Sequence, residues 1–154
     1  VTVSDQPIGR ARASAICIAD EMILCVRLQD PISRKMNLFP PGGAIEPNES
    51  PIEAAIRETR EETGFVVNTI AGLSPFSTHY PFVWAGKTYQ CETWWVCVSS
   101  ALPKRLSGLV QDAAYNLGWA WIPISEVHAS FSHSRPILDA VQSALESWKQ
   151  LKDH

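Results

Sequence analysis

The chain has 154 residues, 45% hydrophobic and 19% charged, enough apolar side chain for one domain with a sizeable core. No run approaches the roughly 20 apolar residues that span a bilayer, and the opening VTVSDQPIGR lacks the apolar stretch of a secretory signal, so a cytoplasmic protein with no membrane partner is expected. A net charge of −3, with 13 scattered Lys and Arg, leaves no basic footprint for a nucleic-acid polymer.

From the N-terminus, β-rich apolar runs predict strands over 13–18 and 22–27, joined by the tight turn Ala19-Asp20-Glu21, then a short strand ending in Leu38-Phe39. Cys17, Cys25, Cys91 and Cys97 sit in apolar strand-like runs with neither Cys-x-x-Cys nor zinc spacing, so buried reduced thiols are expected. The stretch 41–65, PGGAIEPNESPIEAAIRETREETGF, carries most of the functional information.

Within it, Ser50 suits an N-cap, Pro51 the first helical position and Glu53 the third, which makes a capping box. Gly64 suits the left-handed residue that ends a helix, so a helix is expected over 51–63. Helical periodicity puts Ile52, Ala55, Ile56, Thr59 and Thr63 on one stripe for packing, and Ala54, Glu58, Glu61 and Glu62 on the opposite one. Those glutamates face the negative end of the helix dipole and repel one another, so a positive partner is needed. Ion pairs of Arg57 with Glu53 and Glu61 would supply one on an ordinary solvated face. The preceding loop points elsewhere. Gly42 and Gly43 offer backbone free to take positive φ and approach a ligand, and Glu49 can reach back over the first turn. Hard oxygen ligands gathered in this way suit magnesium, which bridges carboxylates to substrate phosphates.

Extended runs follow at 65–70, 88–99 and 119–124, and an amphipathic helix carries Ile137, Leu138, Val141, Leu145, Trp148 and Leu151 after Ser134 and Pro136. Between the first two runs, His79, Tyr80, Phe82, Trp84 and Tyr89 surround Pro81 and Gly86. They form either a loop whose aromatics stack on a base or a hairpin whose aromatics complete the core. His79 and His133 are candidates for contacting phosphate or donating a proton. Period-two alternation places Glu92 with Gln90 and Trp94 on one side of its strand, where it could face a cleft. Asp112 lies in a loop-like stretch before Trp119, and Glu126 begins or caps a short turn.

Gly43, Glu49, Arg57-Glu58-Thr59, Glu61-Glu62 and Gly64-Phe65 together resemble the Nudix box of MutT-like pyrophosphohydrolases at every charged and glycine position. The motif spans 43–65, about one seventh of the chain. Two positions depart from the pattern. Thr59 stands at an aliphatic position, where its methyl can still reach the core, and Asn48 stands where a glycine is common, with good tolerance of left-handed backbone.

The resemblance implies an α/β protein of the Nudix fold, an α/β/α sandwich around a central mixed β-sheet, with 1–154 as a single domain. It implies hydrolysis of a phosphoanhydride in a nucleoside diphosphate joined to another group X: a nucleoside triphosphate, nucleotide sugar, ADP-ribose or dinucleoside polyphosphate. Carried over by position, Glu58, Glu61 and Glu62 would bind Mg2+, or Mn2+ in its place, with the Gly42 carbonyl as a further ligand. Glu49 would orient the metal site, and Arg57 would fix the glutamates. Glu58 is the first choice of base, although the family often takes one from outside the box, which makes Glu92, Asp112 and Glu126 candidates. For binding substrate, His79, Tyr80, Trp84, Glu92 and Asp112 are candidates, and a homodimer is left open. Two alternatives are a Nudix-fold binding or sensor domain without turnover and a related isomerase of isoprenoid diphosphates, for which Cys91 is available; the intact box counts against both.

Overall fold

The computed structural model describes residues 6–100 and 114–153. Strand β1 (Ile8–Ala19) turns into β2 (Met22–Gln29) through Asp20 and Glu21, whose φ values of 50° and 60° suit a tight hairpin that matches the twist of its strands. The two strands pair only at Ile18–Ile23 and Ala19–Met22, then part. Beyond that point β1 takes β4 (Gly42–Ala44) antiparallel and β7 (Lys87–Ser99) parallel. Strand β2 instead takes β3 (Met36–Phe39) and β8 (Asn116–Pro123), both antiparallel. With β5 (Asn68–Thr69) and β6 (Phe76–Trp84) added on β7, the sheet is mixed and has eight strands among the described residues. Because β1 and β2 diverge, the sheet splays open around β4, and the cavity described below lies there.

Helix α1 (Pro51–Thr63) covers one face of the sheet. A 3-10 turn (Ile124–Glu126), α2 (Val127–Phe131) and α3 (Arg135–Lys152) cover the other. Alternation along β1 divides the two cores. Ala13, Ala15 and Cys17 pack with Ala54, Ala55, Phe65 and Val67 on the α1 side, while Ile16 and Ile18 pack with Ile137, Val141 and Leu145 under α3. The result is the expected α/β/α sandwich. All four cysteines are free and buried, and burial pushes the Cys17 and Cys25 thiols up to about 12. Among the described residues no helix is long and apolar enough to cross a membrane.

The ends of α1 follow from local chemistry. Ser50 Oγ accepts from the Glu53 N–H at 3.1 Å and Glu53 Oε1 accepts from the Ser50 N–H at 2.9 Å. Gly64, at φ 81°, donates its N–H to the Arg60 carbonyl at 2.8 Å. The faces differ in part from the periodic expectation. Ala54, assigned to the charged stripe, is fully buried with Ala55, Thr59 and Thr63, whereas Ile52 and Ile56 are only half-buried. The reason is that α1 has cover on two sides, the sheet under Ala55 and Thr59 and the short strand β4 beside Ala54 and Glu58. Glu53 is also absent from the Arg57 pairing expected of it, because its carboxylate closes the capping box.

The aromatic segment 76–89 is a hairpin of β6 and β7, with Ala85 and Gly86 at φ 53° and 74° in its turn. Its tip is tied to the loop after β2 by one buried carboxylate. Asp30 accepts the N–H groups of Ile32 (2.8 Å) and Ser33 (3.1 Å) on one oxygen and that of Ala85 (2.9 Å) on the other.

Neither Gly42 nor Gly43 takes positive φ; both lie in β4. What they provide is absence of bulk, since a Cβ on Gly42 would run into the Ala13 carbonyl and Ser14 of β1, and one on Gly43 would come within 2.5 Å of the Glu58 carboxylate. Gly42→Ala therefore forces backbone apart. It should destabilise the protein by roughly 1–3 kcal/mol, the usual cost of overpacking, read as a lowered Tm; an unchanged Tm would show that β4 can move away freely.

Candidate active site

Arg57 organises the acidic helix. Its guanidinium donates to Glu49 through Nε (2.7 Å) and Nη2 (2.9 Å), to Glu58 (2.9 Å) and Glu61 (3.0 Å) through Nη1, and to the Ala44 carbonyl (3.0 Å) through Nη2. One planar fork thus ties the loop before α1, strand β4 and two glutamates one turn apart. The bidentate contact with Arg57 holds the Glu49 carboxyl below the usual carboxylate range, and Glu49 in turn holds Arg57 firmly charged.

Glu62 is fixed differently. Its Oε1 accepts the Gly42 N–H at 2.7 Å, and protein crowds it on most sides although it borders the cavity. Burial raises its pKa to about 8, an effect that the Gly42 hydrogen bond only partly offsets. Burial also raises Glu58, against the opposing pull of Arg57. Two acids thus lie close together with less positive charge than their ionised forms call for.

Glu58, Glu61 and Glu62 open onto a cavity of about 520 Å³ between β1, β4 and the β6–β7 hairpin. Their donor set is hard oxygen only and its charge is underneutralised, which fits a small divalent cation. Among the described residues no three acidic, His or Cys side chains already converge as a formed metal site, because Arg57 holds Glu58 and Glu61 while Gly42 holds Glu62.

The other sequence candidates scatter. Tyr80 is buried with its hydroxyl 2.9 Å from Thr93 Oγ1, and it lines the cavity with Trp84. His79 and Glu92 pair with each other at 3.0 Å, but on the opposite, exposed side of the hairpin. Glu92 indeed shares a side with Gln90 and Trp94, yet the cavity lies on the other, with Tyr89, Cys91 and Trp95. His133 contacts the Leu38 carbonyl (2.7 Å) and lies edge-on to Phe39, away from the acids. Glu126 is exposed where α2 begins, and Asp112 lies outside the described residues. The hairpin satisfies both readings of its aromatics at once: Tyr80 and Trp95 join the core, while Phe82, Trp84 and Tyr89 remain half-buried against the cavity.

Sequence reasoning missed Arg10 and Arg12, which line the same cavity beside Ser14. The signal was the alternation in RARAS, which continues the β1 pattern toward the N-terminus. Phe39, Tyr115 and Asn116 were also missed; they reach the cavity from β3, from the residue just before β8, and from the start of β8.

The raised pKa of Glu62 has a sign that can be tested. A group whose folded pKa lies above its unfolded value stabilises the fold fully below the ordinary carboxylate range, and that stabilisation is lost as pH rises through about 8. Without divalent cations the Tm should fall between about pH 5 and about pH 8, and Glu62→Gln should flatten that fall. Magnesium or manganese added at the upper end should restore Tm in the native chain more than in Glu62→Gln. A pH-independent native Tm would show that Glu62 ionises without penalty.

A NUDIX domain model matches residues 9–141, most of the chain. Among solved structures, a NUDIX hydrolase from Nitrosomonas europaea aligns with a TM-score of 0.61 at 26% identity, over 94% of this chain and 90% of that one. An ADP compounds hydrolase aligns with a TM-score of 0.66 at 20% identity, over 96% and 76%. An Ap4A hydrolase from C. elegans aligns with a TM-score of 0.58 at 18% identity, over 94% and 98%. These last two, at such identities, show a shared fold alone. No curated protein matches the chain. The family match takes in the acidic helix and both walls of the cavity, and the chain belongs to the NUDIX family, as a Nudix hydrolase.

Proposed function

We propose that this hydrolase is a Mg2+-dependent pyrophosphohydrolase that cleaves a phosphoanhydride bond in a nucleoside diphosphate joined to another moiety. The observation that carries this reading is the Arg57 fork, which presents Glu58 and Glu61 together at the cavity mouth while Glu62 stands behind them on the Gly42 N–H. Nudix hydrolases generally use divalent metal ions, and structures aligned with this one are named as hydrolases of ADP compounds and of Ap4A.

Glu58, Glu61 and Glu62 would hold the cation, with the Gly42 carbonyl as a further ligand. When bound, the cation supplies activation of a water and neutralisation of charge on the phosphates. The remaining work belongs to the chain. Arg57 sets the spacing of Glu58 and Glu61, and Glu49 keeps Arg57 in place through its bidentate contact. Glu58 is the base: burial favours its protonated form, and it lines the cavity where water and substrate meet. Glu92, on the outer side of the hairpin, is withdrawn from that role. Cys91 lines the cavity, but burial raises its pKa and leaves it a poor nucleophile, which disfavours the isomerase chemistry. The free cysteines support a reducing, cytoplasmic setting.

The test is magnesium-dependent turnover of a panel of nucleoside triphosphates, nucleotide sugars, ADP-ribose and dinucleoside polyphosphates, with products separated by chromatography. Hydrolysis of one class, yielding a nucleotide and a phosphorylated partner, is expected. Glu61→Gln should lower turnover by about a hundredfold or more, the scale of losing one preorganised electrostatic group, while Tm stays close to native. Unchanged turnover of Glu61→Gln at saturating magnesium would remove Glu61 from the metal site. Tight binding across the panel without hydrolysis, in both magnesium and manganese, would replace the enzyme reading with a sensor.

A further inference from the structure

Two arginines of the cavity lie outside the ion-pair network of the acidic helix. Along β1, Arg10, Arg12 and Ser14 alternate onto the cavity side, while Ala13 and Ala15 face the α1 core. Two guanidiniums therefore follow one another along the floor, about 7 Å apart at the backbone given the rise of a strand. The ion pairs of Glu49, Glu58 and Glu61 run to Arg57, and among the described residues neither Arg10 nor Arg12 has a carboxylate partner.

Arg12 Nε is buried and has no hydrogen-bond partner, although the side chain lies beside the Tyr80 hydroxyl and near Glu58 and Glu62. Arg10 is exposed at the rim, with its guanidinium 5.2 Å from the centre of the Tyr89 ring. A buried unsatisfied donor on a charged group is costly, and an oxyanion is the partner that a guanidinium fork fits best. The far wall is aromatic: Phe82 stacks with Trp84 at 6.4 Å, and Trp84 meets Tyr115 edge-on at 5.7 Å.

We propose that Arg10 and Arg12 form a phosphate-binding track, which selects substrates with three or more consecutive phosphates over a diphosphate joined to a sugar. The inference rests on the pyrophosphohydrolase reading and adds its substrate class. A sugar-linked diphosphate has both phosphates at the bond to be cleaved and a neutral group beyond, which gives two further cations nothing to bind. A longer chain, as in a nucleoside triphosphate or a dinucleoside polyphosphate, leaves at least one phosphate clear of the acidic helix. Arg12, next to Glu58 and Glu62, is placed to take it, and Arg10 to take the next, while Phe82 and Trp84 offer a face to the base.

The experiment has two arms, each with Arg12→Gln and Arg10→Gln; the second lies at an exposed position and so leaves the fold undisturbed. In the first arm, inorganic tripolyphosphate and pyrophosphate are titrated calorimetrically into chelator-treated protein, which needs neither metal nor turnover. Tripolyphosphate should bind the native chain about tenfold more tightly than pyrophosphate, and each substitution should weaken it about tenfold, as expected for one charge-assisted contact. In the second arm, KM for a nucleoside triphosphate and a dinucleoside tetraphosphate should rise about tenfold in each variant, and in Arg10→Gln KM for ADP-ribose should stay put.

Tripolyphosphate affinity that is the same in all three proteins would overturn the track and make Arg12 a counter-charge for Glu58 and Glu62. So would no detectable tripolyphosphate binding by the native chain. Native turnover that prefers sugar-linked diphosphates would overturn the substrate class while leaving the hydrolase reading standing. If no panel member is hydrolysed, the hydrolysis proposal fails, and the calorimetric arm still decides the arginines.

Discussion

The site depends on one cation placed among acids. Without Arg57, Glu58 and Glu61 would repel each other in the C-terminal half of α1, where the helix dipole already disfavours negative charge, and Glu49 would lose its cationic partner. With it, three carboxylates from two segments become one rigid array, and the Ala44 carbonyl joins that array to β4. The cost of a half-buried charge is met by geometry here: the guanidinium plane is filled by near-ideal partners, all five bonds at 3.0 Å or less. Glu62 stands outside this arrangement, on a single backbone N–H, and so is the acid whose charge most depends on what else enters the cavity.

Sheet topology then decides what faces the acids. A fully paired β1–β2 hairpin would have closed the floor with strand backbone, but the two separate after two residue pairs. The edge of β1 that this frees is taken by β4, whose glycines let Glu58 and β1 approach without intervening side chains. On its other edge β1 runs parallel to β7, which brings Arg10 beside Cys91 and Arg12 beside Thr93. Arginines near the N-terminus and aromatics from the middle of the chain meet across that pairing.

What was legible in the sequence follows from which interactions are local. The ends of α1 could be read because Ser50, Pro51, Glu53 and Gly64 act within a turn of their own positions. The site arginines could not, because Arg10 and Arg12 read as a charged approach to a strand until β7 is laid alongside. Glu92 shows the limit of alternation: its period groups it with Gln90 and Trp94, but a single strand does not say which side the cavity takes. Ala54 is buried with Ala55, while Ile56 packs against the same core only in part, for a related reason: a helix covered on two sides has no single apolar stripe. At Gly42 and Gly43 the expected positive φ is absent, and what the glycines supply is space for close approach.

The buried Asp30 clasp separates two kinds of change open to this architecture. It fixes the tip of the aromatic hairpin to the loop after β2, and among the described residues no ion pair joins either segment to Arg57 or the acids. The wall that would face a base is therefore braced independently of the groups that would handle phosphorus. Residues on that wall can be exchanged, or its tilt altered through the loop, without disturbing the carboxylate array. The aromatic wall and the carboxylate array are thus braced by separate interactions, so the wall can change shape while the Arg57 network keeps its form.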